Sequence, residues 1–151
     1  MNRILLSLTL VVSAAALACG DAEDTHGWWA PTIGGASVPT EPRSASVDEL
    51  AKWTKAKTAV PVDANGKQLR ASEGVIPGAV LLTSSASYEL KELPANKSAQ
   101  LVFYCANEKC TASHLAARRA MDNGYTNVAI LPAGIKGWKA AGQPTKPTPR
   151  T

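Results

Sequence analysis

From Ala45 onward, short apolar runs alternate with longer amphipathic or polar stretches. Ser46-Val-Asp-Glu49 has the form of a capping box, and Leu50 and Trp53 follow at helical spacing, which predicts a helix. Thr58–Asp63 predicts a strand. Asn65-Gly66 marks a turn, a pattern that also fits a loop running into Lys67–Ser72. Gly74-Val-Ile-Pro-Gly78-Ala79 predicts a turn leading into a strand over Ala79–Leu82, and Ser87–Leu93 a short helical piece stopped by Pro94. Leu101–Tyr104 is an uncharged β-favouring run and predicts a buried strand. Thr111–Asp122, rich in Ala, Leu, Arg and Met, predicts a helix with Asn123-Gly124 as its stop. Asn127–Leu131 predicts a further strand, and Ala133-Gly134 turns the chain into a helix over Ile135–Ala141. Strands that alternate with helices predict an α/β fold of three layers: a mostly parallel sheet with helices on both faces.

The ends of the chain read differently. Met1–Ala18 has a basic Arg3, an apolar Ile4–Val12 and a small-residue Ala16-Leu17-Ala18, the pattern of a cleaved signal peptide. The apolar run is short for a membrane span. Cys19 follows at once, as in a bacterial lipobox, where the new N-terminal cysteine carries the lipid; Ala16 stands where that pattern usually has Leu, Val or Ile. Two outcomes are open: a lipoprotein held through Cys19 at the periplasmic face of a membrane, or a soluble exported protein. Residues 19–44, with acids, Gly, Pro, Ser and Thr and no apolar period, are predicted to be a flexible tether carrying His26, Trp28 and Trp29. The folded domain is predicted over 45–143, and 144–151 as a disordered tail.

Composition narrows the function classes. The 151 residues are 45% hydrophobic, enough for a real core. The full chain carries 16 Lys and Arg against 12 acids; loss of Arg3 with the signal leaves 15 against 12, a side-chain charge of +3. Lysines and acids are interspersed, with no basic stripe and interleaved aromatics, which argues against nucleic acid as a partner.

The candidate chemistry lies between the strand at Leu101–Tyr104 and the helix from Thr111. Cys105 ends the strand, and Ala106-Asn-Glu-Lys-Cys110-Thr111 runs to the helix start. A helix start presents unpaired amides and the positive end of the helix dipole, and a short loop can aim more amides at one point. A thiol held there ionises readily, with a pKa falling from about 8.5 to roughly 3.5–7.5. An inert buried cysteine closing a core strand is the opposing reading. Gly74, Gly78, Gly134 and Gly137 read as turns and close packing, and Trp53 and Trp138 as core or core-edge packing.

In order along the chain, Asp63, Gly74-Val-Ile-Pro-Gly-Ala79, Tyr104-Cys105, Gly124-Tyr125 with Asn127-Val128, Ala133-Gly134, Trp138 and Gly142-Gln-Pro144 resemble the motif series of rhodanese domains. The resemblance covers Asp63–Pro144. The chain departs from the family where Asn65 replaces the usual Arg, Val75 the usual His, and Glu108 the usual Gly of the loop; Cys110 stands where many members have Arg, Ser or Thr.

The resemblance implies a sulfurtransferase. Cys105 would take the outer sulfur of a donor such as thiosulfate as a persulfide and pass it to cyanide or a thiol, with the amides of Ala106 to Thr111 stabilising the anionic sulfur and no cofactor. Lys109 would attract an anionic donor and Glu108 would repel it, so weak activity with thiosulfate is expected. Cys110, expected close to Cys105, either resolves a persulfide or sulfenate, making a thiol redox switch, or fills the base of the loop. A non-catalytic rhodanese-like binding module is a further alternative. Cys110 and His114 share a helix face and with Cys105 could suit a soft metal, but no fourth ligand is evident and the expected cradle favours an anion. Phosphatase chemistry would need an Arg six residues after the nucleophile, where this chain has Thr111.

Overall fold

The computed structural model describes residues 40–148. The signal segment, Cys19, His26, Trp28, Trp29 and most of the predicted tether lie outside the described residues. The elements run β1 (Arg43–Ser44), α1 (Val47–Ala56), β2 (Ala59–Asp63), α2 (Lys67–Glu73), β3 (Val80–Leu81), a single 3-10 turn (Leu90–Glu92), β4 (Gln100–Tyr104), α3 (Ala112–Asp122), β5 (Val128–Leu131) and α4 (Gly134–Ala140). All five strands are parallel, in the order β1-β5-β4-β2-β3. The predicted α/β architecture is therefore present.

Helix α1 begins as its sequence dictates. Ser46 Oγ accepts from Glu49 N at 3.2 Å while Ser46 N donates to Glu49 Oε2 at 2.8 Å, a reciprocal capping box. The alternation of β4 divides the core into two layers. Leu101 and Phe103 pack with Ala116, Ala117 and Ala120 of α3. Val102 and Tyr104 pack with Leu50 of α1 and with Ile135 and Trp138 of α4. Trp138 is thus core, and Trp53 is a packing residue at its margin with the Arg43 guanidinium 4.8 Å from its ring centre.

Four local expectations need correction. Asn65 and Gly66 are irregular as expected, but the loop reading of Lys67–Ser72 gives way to helix α2, entered from Gly66 with an extended backbone. The predicted helical piece over Ser87–Leu93 contracts to the turn Leu90–Glu92: Ser84 Oγ accepts from the Ala86 and Ser87 amides at 3.3 and 3.2 Å, and the Glu92 carboxylate accepts from the Thr83 and Glu89 amides at 2.8 and 2.9 Å. The tether assigned to 19–44 ends in a strand, since Arg43 and Ser44 pair with Ala129 and Ile130 of β5. The tail is ordered at its start: Lys146 and Val75 exchange two main-chain hydrogen bonds of 2.8 Å, and Trp138 Nε1 donates to Pro144 O at 2.8 Å. Pairing through the main chain needs no apolar periodicity, so neither short segment announced itself in the pattern.

Candidate active site

The period of two that sends Leu101 and Phe103 toward α3 continues one step beyond the strand and sends Cys105 there too. Its thiol lies beneath the first turn of α3, 3.3 Å from Ser113 Oγ, and the residue is 1% exposed. Two carbonyl oxygens face the sulfur, those of Cys110 at 3.2 Å and Asn107 at 3.8 Å. Carbonyls accept a proton's hydrogen bond and repel a thiolate, so the surroundings suit the S–H form. Burial pushes the Cys105 thiol up, the neighbouring Cys110 side chain pushes it further, and Ser113 pulls the other way.

Cys110 has the opposite character. It is half-exposed. Burial, the largest single influence, pulls its thiol up, but the Cys105 side chain and the main chain at Ala106 and Ala112 together outweigh it and hold it below the ordinary thiol range. Within the loop, Cys110 N donates to Asn107 O at 3.0 Å and Lys109 N to Asn107 Oδ1 at 3.1 Å. The easy ionisation expected of Cys105 falls instead to Cys110, while two carbonyl oxygens and the Ser113 hydroxyl surround the Cys105 sulfur. The reason is positional: Cys105 continues the strand into the apolar layer, whereas Cys110 follows a turn that brings it to the start of α3. The predicted closeness of the two cysteines is present, and both are free thiols.

The beginning of the loop is fixed by α4. Ile135 N donates to Cys105 O at 2.8 Å and Lys136 N to Ala106 O at 3.1 Å. Gly134, at φ +60°, makes this approach possible, since a Cβ there would fall 2.6 Å from Cys105 O. The close packing read for Gly134 from sequence is thus packing against the site itself.

The strand carrying the cysteine is anchored by a buried polar network. Tyr104 OH donates to Asp63 Oδ2 at 2.8 Å and accepts from Ile76 N at 3.1 Å, so it ties β2, β4 and the 74–79 turn together. Asp63 Oδ1 accepts from Asn65 N at 2.7 Å and lies 3.3 Å from Arg70 Nε. Arg70 Nη2 also donates to Asp63 O and Leu82 O, both at 2.8 Å. Sequence reasoning missed Arg70; its signal was an arginine on the segment directly following an aspartate at a strand end, in a chain whose usual Arg at position 65 is Asn.

At the surface, Glu108 and Lys109 are exposed and line a groove of about 350 Å³ with Asn107, Ala133, Lys136 and Gly137. Lys136 adds a second cation that the loop sequence does not reveal. Thr111 and His114 are exposed at the start of α3, away from that groove. Among the described residues no group of three or more His, Cys, Asp or Glu is placed to hold a metal ion.

A profile described as "Rhodanese-like domain" matches residues 46–141. The chain belongs to the rhodanese-like domain family. No curated protein matches it in sequence. Among solved structures, this rhodanese-like chain is similar to a Rhodopseudomonas palustris protein of unknown function, described as a possible tyrosine phosphatase, with 25% identity over 70% of this chain and 85% of that one, at a TM-score of 0.57. It is similar in fold to the rhodanese-like domain of an Anabaena protein, with 20% identity, 70% and 79% coverage and a TM-score of 0.55. It also resembles the human single-domain sulfurtransferase TSTD1, with 22% identity, 64% and 95% coverage and a TM-score of 0.52.

Proposed function

We propose that this rhodanese-like chain is a sulfurtransferase in which Cys105 carries sulfane sulfur as a persulfide. The observation that supports it most is the closeness of the two cysteines across the loop: the Cys105 sulfur lies 3.2 Å from the Cys110 carbonyl oxygen, and Cys110 is held below the ordinary thiol range while Cys105 is pushed above it. The Cys110 thiolate is then the base for Cys105. It takes the thiol proton as the Cys105 sulfur attacks the outer sulfur of a donor; with thiosulfate, the new Cys105 S–S bond forms, the donor S–S bond breaks and sulfite leaves with the electron pair. The added sulfur extends the Cys105 side chain by about 2 Å. A thiol or cyanide acceptor removes it in the second half-reaction. No resident cofactor takes part, and the small sulfur donor and acceptor are the partners.

Lys109 and Lys136 stand beside the loop and favour an anionic donor, while Glu108 opposes it, so thiosulfate is a weak donor. The chain acts outside the cytoplasm, held to a membrane through a lipid on Cys19 after removal of residues 1–18. Cyanolysis tests the chemistry: protein incubated with a sulfane donor and freed of it by gel filtration releases thiocyanate on adding cyanide, and Cys105→Ser protein does not. Equal thiocyanate from both would end the proposal.

A further inference from the structure

The same pair of sulfurs assigns a second step to the site. Resting on the Cys105 persulfide proposed above, we infer that Cys110 is a resolving cysteine: it attacks the inner sulfur of that persulfide, closes a Cys105–Cys110 disulfide and expels the outer sulfur as hydrosulfide. Turnover then requires an external dithiol, which makes the protein a reductase of sulfane sulfur as well as its carrier.

Two geometric observations support this, and the ionisation of Cys110 agrees with them. The Cys105 sulfur lies 3.2 Å from the carbonyl oxygen of Cys110 itself, so the two residues are already neighbours across the loop. The Cys105 thiol is buried, whereas Cys110 is half-exposed. An external acceptor must reach past the loop to the persulfide; Cys110 is already there. Cys110 is held below the ordinary thiol range, so it gives up its proton readily as it attacks.

The atoms and charges balance. In the first half-reaction the Cys105 proton passes to Cys110, leaving Cys105–S–S⁻ beside Cys110–SH. As the Cys110 sulfur bonds to the Cys105 sulfur, the Cys105 S–S bond to the outer sulfur breaks, and that sulfur leaves with the electron pair and the Cys110 proton as HS⁻. The sulfane sulfur is reduced by two electrons and the cysteine pair is oxidised by two. A dithiol of the thioredoxin class of chemistry, itself becoming a disulfide, returns the pair to thiols.

The experiment loads the reduced full chain with excess thiosulfate or a small organic polysulfide, without reductant, and follows hydrosulfide and intact mass together. The expected result is one hydrosulfide per chain, a mass lower by two hydrogens, and multiple turnovers once dithiothreitol is added. Cys110→Ser and Cys110→Ala proteins are expected to load more slowly, release no hydrosulfide, and retain one cyanide-labile sulfur. Wild-type protein that keeps a mass higher by one sulfur and releases no hydrosulfide would overturn the resolving role while leaving the persulfide proposal standing. If neither wild type nor either variant gains sulfur, the persulfide proposal itself fails. Hydrosulfide from wild type with no sulfur retained by either variant would also overturn the assignment, since Cys110 would then be the first attacker.

Discussion

Replacing Tyr104 with Phe removes one oxygen and leaves the ring packing intact, so its cost can be worked out from two hydrogen bonds. The hydroxyl donates to a carboxylate, Asp63 Oδ2, at 2.8 Å and accepts from Ile76 N at 3.1 Å. Both Asp63 and Ile76 are wholly buried. Losing a bond to a buried charged group costs about 1.5–3 kcal/mol, and a buried amide left unpaired adds about 1–3 kcal/mol. The expected loss is about 3–5 kcal/mol, a large part of the roughly 5–15 kcal/mol that holds a domain together. Urea unfolding followed by tryptophan fluorescence reads this directly; with a slope of about 1–3 kcal/mol/M the midpoint falls by at least about 1 M. Tyr88→Phe is the internal standard. Its hydroxyl donates to one neutral acceptor, Ala116 O at 2.9 Å, and its loss is expected to cost about 1 kcal/mol. Equal effects of the two substitutions would refute the reasoning, because they would mean that Asp63 and the 74–79 turn do not depend on Tyr104.

Gly134→Ala should lower stability by about 2–5 kcal/mol, from a left-handed backbone and a Cβ pressed into the loop main chain, and should accelerate alkylation of Cys105; a melting curve and peptide mapping after iodoacetamide check both. At neutral pH iodoacetamide is expected to label Cys110 first, because its thiolate forms below the usual thiol range, and to reach Cys105 only at higher pH, because burial and the Cys110 hydrogen bond hold its proton; the reverse order would contradict the site description. Glu108→Gln should raise kcat/KM for thiosulfate by up to about fivefold, the equivalent of an exposed charge effect of about 1 kcal/mol, with no change for an uncharged polysulfide donor. Burial raises the phenols of Tyr104 and Tyr88, the latter to about 12, so the folded state holds protons that the unfolded chain gives up. Stability is therefore kept below about pH 10 and lost as pH rises above it, which equilibrium unfolding at alkaline pH measures.

The layered fold was legible because its signals are periodic. The alternation in Leu101–Tyr104, the capping box at Ser46 and the glycine-proline turn at 74–79 each depend on residues close in sequence. The pairing of Arg43–Ser44 and of Val75 with Lys146 was not legible, since main-chain hydrogen bonds between distant segments leave no mark on side-chain pattern. At the site, the position of Cys105 and its closeness to Cys110 could be read, but the ionisation could not. Which thiol is eased toward ionisation and which keeps its proton turns on the path of a six-residue loop, where Glu108 replaces the usual glycine. Arg70 escaped for a related reason: a buried guanidinium is recognised by the oxygens around it, and those come from Asp63 and from Leu82, twelve residues away.

The two amides that α4 gives to Cys105 O and Ala106 O determine where this loop is able to bend. Its first two peptides are clamped against Gly134, so the hinge for any exchange between the dithiol and a bridged form falls in Asn107–Thr111. Reagents would therefore gain entry by a swing of that outer half, with the root of the loop and the strand behind it standing still.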